Sequence, residues 1–476
     1  MKVYLDSRIR IPLTSLPVKI LEVIKEECTH SNSQFFKEKG MGIRPTCDPY
    51  IHTYATNDEY LILPRGILPK IISIFKEAGI TYKILDARSS SPMNAGSFKI
   101  KEDVKIPLKF QMNAVKLLAD CNQRILLAPT GSGKTIIGLD LIDALQQKTM
   151  IIVHTTLLFK QWQDEIKKYS HINFEIGELG TGNFNLAPIT MAMIQTLYRL
   201  TPTEYKTLNL YFGSIIIDEC HRVPANETFK VVNRLKSKYR FGLTGTYKRK
   251  DGKEFLLFDA ISHNVIEITP EDLAAENRYV PLDVEFIKTE FEKPYIRPSR
   301  NTYLTWKPLM DALIADENRN AFICKEIVRN CKQGYICLVA VERLIHADDL
   351  CARLSNSLGE DKVAIMTSNT KEDQRIKIKE RIMTKDLKVL IATRGLICEG
   401  ADIPALSCLH ITMPYNNRLL TEQLVGRLRR IAEDKLPPIV KDYVDLDAIE
   451  LKNSAIKRRG FYRKLKFKII GEEVLN

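Results

Sequence analysis

A chain of 476 residues is too long for one hydrophobic core and predicts about three domains. Its 45% hydrophobic and 27% charged residues exclude a disordered or fibrous chain, and the absence of any apolar run of spanning length excludes a membrane protein. A net charge of +13, from 71 Lys and Arg against 58 Asp and Glu, favours a polyanionic partner. The ten cysteines are scattered without a C-x-x-C pair, which indicates neither a zinc site nor a disulfide framework and points to a reducing, cytoplasmic home.

In chain order, residues 3–11 read as a strand and 17–28 as a helix with Val18, Leu21, Ile24 and Cys28 on one face. Strands over 59–63 and 80–85 flank a helix over 67–78 that stops at Gly79. These elements predict a small α+β module over 1–95, arranged as a split βαβ unit and closed by a Ser/Pro/Gly-rich linker over 88–97. From about residue 100, apolar strands alternate with amphipathic helices, the pattern of a parallel-sheet α/β domain, here over 96–278. Its strands are expected at 124–128, 149–154, 189–193, 214–218 and 240–244. The alternation resumes over 279–450, with strands at 335–341, 363–366, 389–393 and 408–413. The last stretch, 451–476, carries eight Lys or Arg and two Glu. It predicts a basic arm whose Arg458, Arg459 and Arg463 would bind phosphates.

Chemistry concentrates where Ala128, Pro129, Thr130, Gly131, Ser132, Gly133, Lys134 and Thr135 join an apolar strand to a helix start. Glycines there let backbone N–H groups turn in on a phosphate chain at the helix N-terminus, and Lys134 adds a positive charge. Thr135 would hold Mg²⁺. Downstream, Ile215–Ile217 run into Asp218, Glu219, Cys220 and His221. Asp218 at the strand end can reach the same Mg²⁺, and Glu219 is placed to orient and deprotonate a water. Only the first α/β domain has a phosphate loop, so the second is expected to complete the site across a cleft. Gln423, Gly426, Arg427 and Arg430 lie in that second region, and the two arginines, three apart, could neutralise charge developing on a γ-phosphate.

Together these motifs resemble the superfamily 2 helicases over about residues 105–445. In that family's terms Phe110-Gln111 resembles the adenine-reading motif, the stretch containing Thr155 and Gln161-Trp162 motif Ia, and Leu243 to Thr246 motif III. Residues 392–404, with Thr393 and Asp402, resemble motif V. The resemblance implies two tandem RecA-like motor domains behind a small α+β N-terminal domain, with ATP and Mg²⁺ as cofactors. It implies an enzyme, an ATP-hydrolysing helicase, with Gln111 and Asp402 at the nucleotide and Thr155, Gln195, Thr196 and Thr393 gripping the strand. The DECH sequence with Arg249-Lys250-Asp251 is similar to the XPB group and to phage branch-migration helicases of the UvsW type, which implies 3′→5′ movement on forked or branched DNA in replication, recombination or repair. A monomer acting on DNA is expected, with RNA left open because only 2′-OH and groove-shape contacts discriminate. A duplex translocase that does not unwind and an ATP-dependent nucleic-acid sensor are the competing readings.

Two further expectations rest on composition. Aromatics interleave with cations over 291–306, so Tyr295 and Tyr303 could stack on bases. The N-terminal module is expected to choose the substrate, with docking of another protein as its alternative role.

Overall fold

The computed structural model describes residues 1–475 except 103–107, 130, 181, 222–224, 248, 250, 277–279, 298–301, 368, 394–402, 416–420, 422–423, 427, 430–431 and 433. The chain divides into two compact units, Met1–Leu273 and Ala274–Asn476.

The first unit opens with a five-stranded sheet. The expected strand over 3–11 is in fact a hairpin, Lys2–Leu5 against Arg8–Pro12, because Asp6 accepts a bond from the Arg8 amide at 3.1 Å and turns the chain. Lys83–Asp86 pairs in parallel with Lys2–Leu5, and Tyr60–Pro64 pairs antiparallel with Arg8–Pro12. The parallel pair has no strand between it, so a mixed sheet built on a hairpin replaces the expected split arrangement. Helices Val18–Glu27 and Leu68–Glu77 cover it, with Ile24, Ile71 and Phe75 buried on Val3, Ile9 and Leu61.

Behind it stands an eight-stranded sheet in the order 183–185, 177–180, 189–193, 149–153, 214–218, 239–244, 123–127, 265–267, parallel except for its first strand. Thr149–Val153 and Ser214–Asp218 are buried at every position, as parallel strands covered on both faces must be, which is why each reads as a continuous apolar run flanked by polar residues. The expected linker is tied down: Ser89 exchanges backbone bonds of 2.8 Å with Lys236 and Lys238, and the Met93 amide donates to Gln146 at 2.8 Å.

The N-terminal sheet is welded to this larger one through buried polar groups. Arg65, fully buried, donates from Nε to Gln123 Oε1 at 2.9 Å and from its terminal nitrogens to the carbonyls of Ser237 at 2.8 Å and Lys238 at 3.2 Å, while Gln123 donates back to the Arg65 carbonyl at 2.9 Å. Asp259 accepts from Thr53 at 2.6 Å and meets His30 at 3.1 Å and His263 at 2.7 Å. Gly66 lies so close that a Cβ would stand 2.1 Å from the Phe258 carbonyl oxygen.

The second unit is a wholly parallel seven-stranded sheet in the order 363–366, 389–393, 337–341, 408–411, 439–444, 283–288, 468–470. The stretch expected as a basic arm is instead part of this body. Ile449–Lys464 is a helix and Lys468–Ile470 adds an edge strand beside Asp283–Lys288. Arg458, 1% exposed, makes a bidentate pair with Asp442 at 2.8 and 2.7 Å and donates to the Tyr415 carbonyl at 2.9 Å. It is therefore a core strut, not a phosphate contact; its charge is already matched.

Candidate active site

The parallel strands 123–127, 214–218 and 239–244 place their C-terminal ends side by side, the edge at which open α/β sheets bind ligands. The Ala128 amide donates to the Thr244 carbonyl at 2.8 Å, which fixes where the phosphate loop leaves the sheet. Gly133 caps helix Lys134–Leu145 in the left-handed region at φ 77°, and Gly131 has φ 89°, conformations that aim the loop's N–H groups inward. Gln111, from helix Lys109–Ala119, donates to the Ser132 carbonyl at 2.9 Å, and a Cβ at Gly133 would lie 2.4 Å from its Nε2. The glutamine thus braces the loop.

Lys134 Nζ stands 3.3 Å from the Ala128 carbonyl and 3.6 Å from Glu219 Oε1. Asp218 ends its strand in the core, where burial, and then the neighbouring Glu219, push its carboxyl up to about 6 against a bond donated by Trp162. That indole Nε1–H donates to Asp218 Oδ2 at 2.8 Å. Glu219 sits at φ 44°, a backbone position costly for a side chain of this kind and characteristic of functional sites. His221 Nδ1 lies 3.2 Å from Glu219 Oε2 and 2.7 Å from Thr244 Oγ1, and Arg249, itself paired with Asp251 at 2.8 and 2.9 Å, donates to the His221 carbonyl. The DECH run and the 243–246 run therefore form one bonded network.

A nucleotide and a divalent cation fit these residues. The Ser132 hydroxyl is buried without a hydrogen-bond partner among the described residues, and an unmet buried donor of this kind suits a phosphate oxygen. Thr135 and Asp218 offer hard oxygen donors, the ligand chemistry of Mg²⁺.

Thr155 caps helix Thr156–Tyr169 by accepting from the Leu158 amide at 3.3 Å, and Gln195 donates to the His154 carbonyl at 3.0 Å. With Thr196, in helix Ile194–Arg199, and Thr393, which ends strand Val389–Thr393, each follows or ends a parallel strand at its C-terminal edge. Tyr295 is 90% exposed, but Phe291 is buried in the second unit's core and Trp306 packs against that core, so the aromatics of this segment do not act as one stacking face. Arg463 and Arg459 both lean on Glu472. Thr130, Asp402, Gln423, Arg427, Arg430 and the Tyr303 side chain lie outside the described residues. Trp162 received no individual role from the sequence; the available signal was its rarity, one of two tryptophans, on the apolar face with Phe159 and Ile166.

Residues 104–249 match the family model described as "Type III restriction enzyme, res subunit", and residues 318–432 match "Helicase conserved C-terminal domain". The chain belongs to the superfamily 2 helicases. A protein of Escherichia phage T5 named a probable helicase is 28% identical over 410 residues, covering 84% of this chain and 83% of that protein. A protein of Sulfurisphaera tokodaii named a DNA 3'-5' translocase, XPB2, is 24% identical over 68% of this chain and 79% of its own. The structure titled DUF1998 helicase MrfA bound to DNA superposes at a TM-score of 0.57 and 14% identity, over 80% of this chain and 52% of that one; at that identity the likeness is one of fold. This helicase is an ATP-dependent enzyme with two RecA-like parallel sheets. None of its helices, among the described residues, is long and apolar enough to cross a membrane.

Proposed function

We propose that this helicase translocates 3′→5′ on DNA and unwinds or branch-migrates forked and branched substrates. The observation that carries the reading is the likeness, over 68% of the chain, to a relative named for 3'-5' movement on DNA, joined to a phosphate loop and DECH run that share one bonded edge of a parallel sheet. In this reading Lys134 and the loop amides hold the ATP phosphates, and Thr135 and Asp218 hold Mg²⁺. When bound, the cation would supply positive charge against the phosphates. Glu219 orients the attacking water and takes its proton, and His221 carries the state of that carboxylate to Thr244. Arg427 and Arg430, assigned on motif alone, stabilise the transition state.

The test compares ATPase stimulation by single-stranded, duplex, forked and four-way DNA and matched RNA, together with strand displacement from 3′ and 5′ tails. Forked or four-way DNA is expected to stimulate most, with displacement only from 3′ tails. Equal displacement from both tails would overturn the polarity, stronger stimulation by RNA would overturn the substrate, and stimulation without displacement would make the protein a duplex translocase. Lys134→Ala or Glu219→Gln should abolish turnover yet leave DNA binding within a few-fold; retained turnover in either variant rejects the site.

A further inference from the structure

In the second unit, strands Cys337–Val341 and Cys408–Ile411 pair in parallel with Cys337 opposite Cys408. His410, two residues on, faces the same side of the sheet. One donor atom from each of Cys337, Cys408 and His410 lies within 4.8 Å of the other two, and all three residues are buried. His410 Nε2 is 3.3 Å from Cys408 Sγ, and its Nδ1 is 2.9 Å from the Tyr443 hydroxyl. Cys331, near the C-terminal end of helix Glu317–Lys332, brings its Sγ to 3.7 Å from that of Cys337. Around them the layer is apolar, with Ile323, Ile327, Val339 and Val389.

An imidazole and two thiols converging in such a layer, with the Cys331 thiol beside Cys337, need a reason, since a buried ring nitrogen is costly unless bonded and thiols are weak partners. Bonds of about 2.3 Å to sulfur and about 2.0 Å to nitrogen around a tetrahedral zinc set ligand atoms about 3.8 Å (S–S) and about 3.5 Å (S–N) apart. The distances of 3.7 and 3.3 Å are already close to those edges. Sulfur and imidazole donors exclude Mg²⁺ and favour zinc, and the burial suits a closed structural site with no open position for substrate. If Tyr443 accepts the Nδ1–H, the Nε2 lone pair is turned toward the thiols, the arrangement that orients histidine ligands.

We propose that Cys337, Cys408 and His410 bind a zinc ion, with Cys331 as the fourth ligand, clamping the end of helix Glu317–Lys332 to the two central strands. Ligand separations of 6, 71 and 2 residues leave no C-x-x-C signal, so the absence of that signal from the sequence does not speak against the site.

The test uses the full chain purified without chelator or an immobilised-metal column. Elemental analysis is expected to find one zinc per chain, and cobalt exchanged into the site should give the intense visible absorption of a tetrahedral thiolate complex. Cys408→Ser should lose the metal. Cys331→Ser, at a partly exposed position and so safer for folding, should weaken affinity about tenfold or more and alter the cobalt spectrum; Tyr443→Phe should weaken it by about tenfold. Wild-type chain that takes up no stoichiometric zinc, a weak octahedral cobalt spectrum, or equal zinc content in wild type, Cys408→Ser and Cys331→Ser would each overturn the proposal.

Discussion

If Asp218 holds Mg²⁺ as proposed, it has to remain a usable ligand while buried beside a second carboxylate, and the indole of Trp162, which donates to it at 2.8 Å, favours its charged form. Trp162→Phe keeps an aromatic ring but removes the donor. It should raise the Mg²⁺ concentration needed for half-maximal ATPase activity by about 10–100-fold, read from a magnesium titration at saturating DNA. An unchanged requirement would reduce the tryptophan to packing. The glycine turn between the strand and helix Lys134–Leu145 was legible in the sequence because Gly131 and Gly133 act through local backbone geometry. The Trp162–Asp218 bond was not, since folding alone brings together residues 56 apart. Arg458 was misread for a related reason: its charge is visible in the sequence, but the Asp442 that answers it becomes a neighbour only when a helix lies on the sheet. Arg458→Ala should cost about 3–5 kcal/mol by leaving Asp442 buried and unpaired, measurable by urea unfolding; a loss near that of a surface pair would show the aspartate finds water.

At the level of elements, the seam between the two sheets of the first unit can be probed through Gly66 and Asp259. Gly66→Ala places a methyl against the Phe258 carbonyl, and the resulting strain should cost about 1–3 kcal/mol; an unaltered melting temperature would mean the seam yields freely. Burial alone would raise the Asp259 carboxyl, but hydrogen bonds from His263, His30 and Thr53 outweigh it and hold it below the usual range. A carboxyl depressed in the fold stabilises above its unfolded value of about 3.9, and that contribution disappears as pH falls through the lower folded value. Asp259→Asn should therefore flatten the acid limb of melting temperature against pH, and an identical limb would place the acid sensitivity elsewhere. Most motor-domain strands were legible from apolar runs. Strands 177–180, 265–267 and 439–444 were not, being short, at an edge, or interrupted by Lys441 and Asp442, whose charges are met by Glu285 and Arg458.

For the whole molecule, the question is what selects the substrate. Removing residues 1–95 would strip partners from Gln123, Asp259 and the carbonyls of Ser237 and Lys238, so loss of activity on truncation would report misfolding. Surface substitutions are the sharper tool. Helix Ser33–Gly40 and the residues after it expose Phe36, Met41 and Ile43 beside Lys37, Lys39 and Arg44. If the N-terminal module selects DNA, Phe36→Ala with Ile43→Ala should remove any preference for forked over duplex DNA while ATPase activity on single strands stays within about twofold. An unchanged substrate ranking would favour a protein-docking role.

The Arg65 weld also has a mechanical meaning. Because a buried guanidinium, a carboxylate and a glycine contact lock the N-terminal sheet to the ATP-binding sheet, the two carry load as one stiff piece. If the module holds nucleic acid, that strand would be dragged without slack when the sheet moves. A seam softened by Gly66→Ala should therefore lower the stall force before it lowers unloaded ATP turnover.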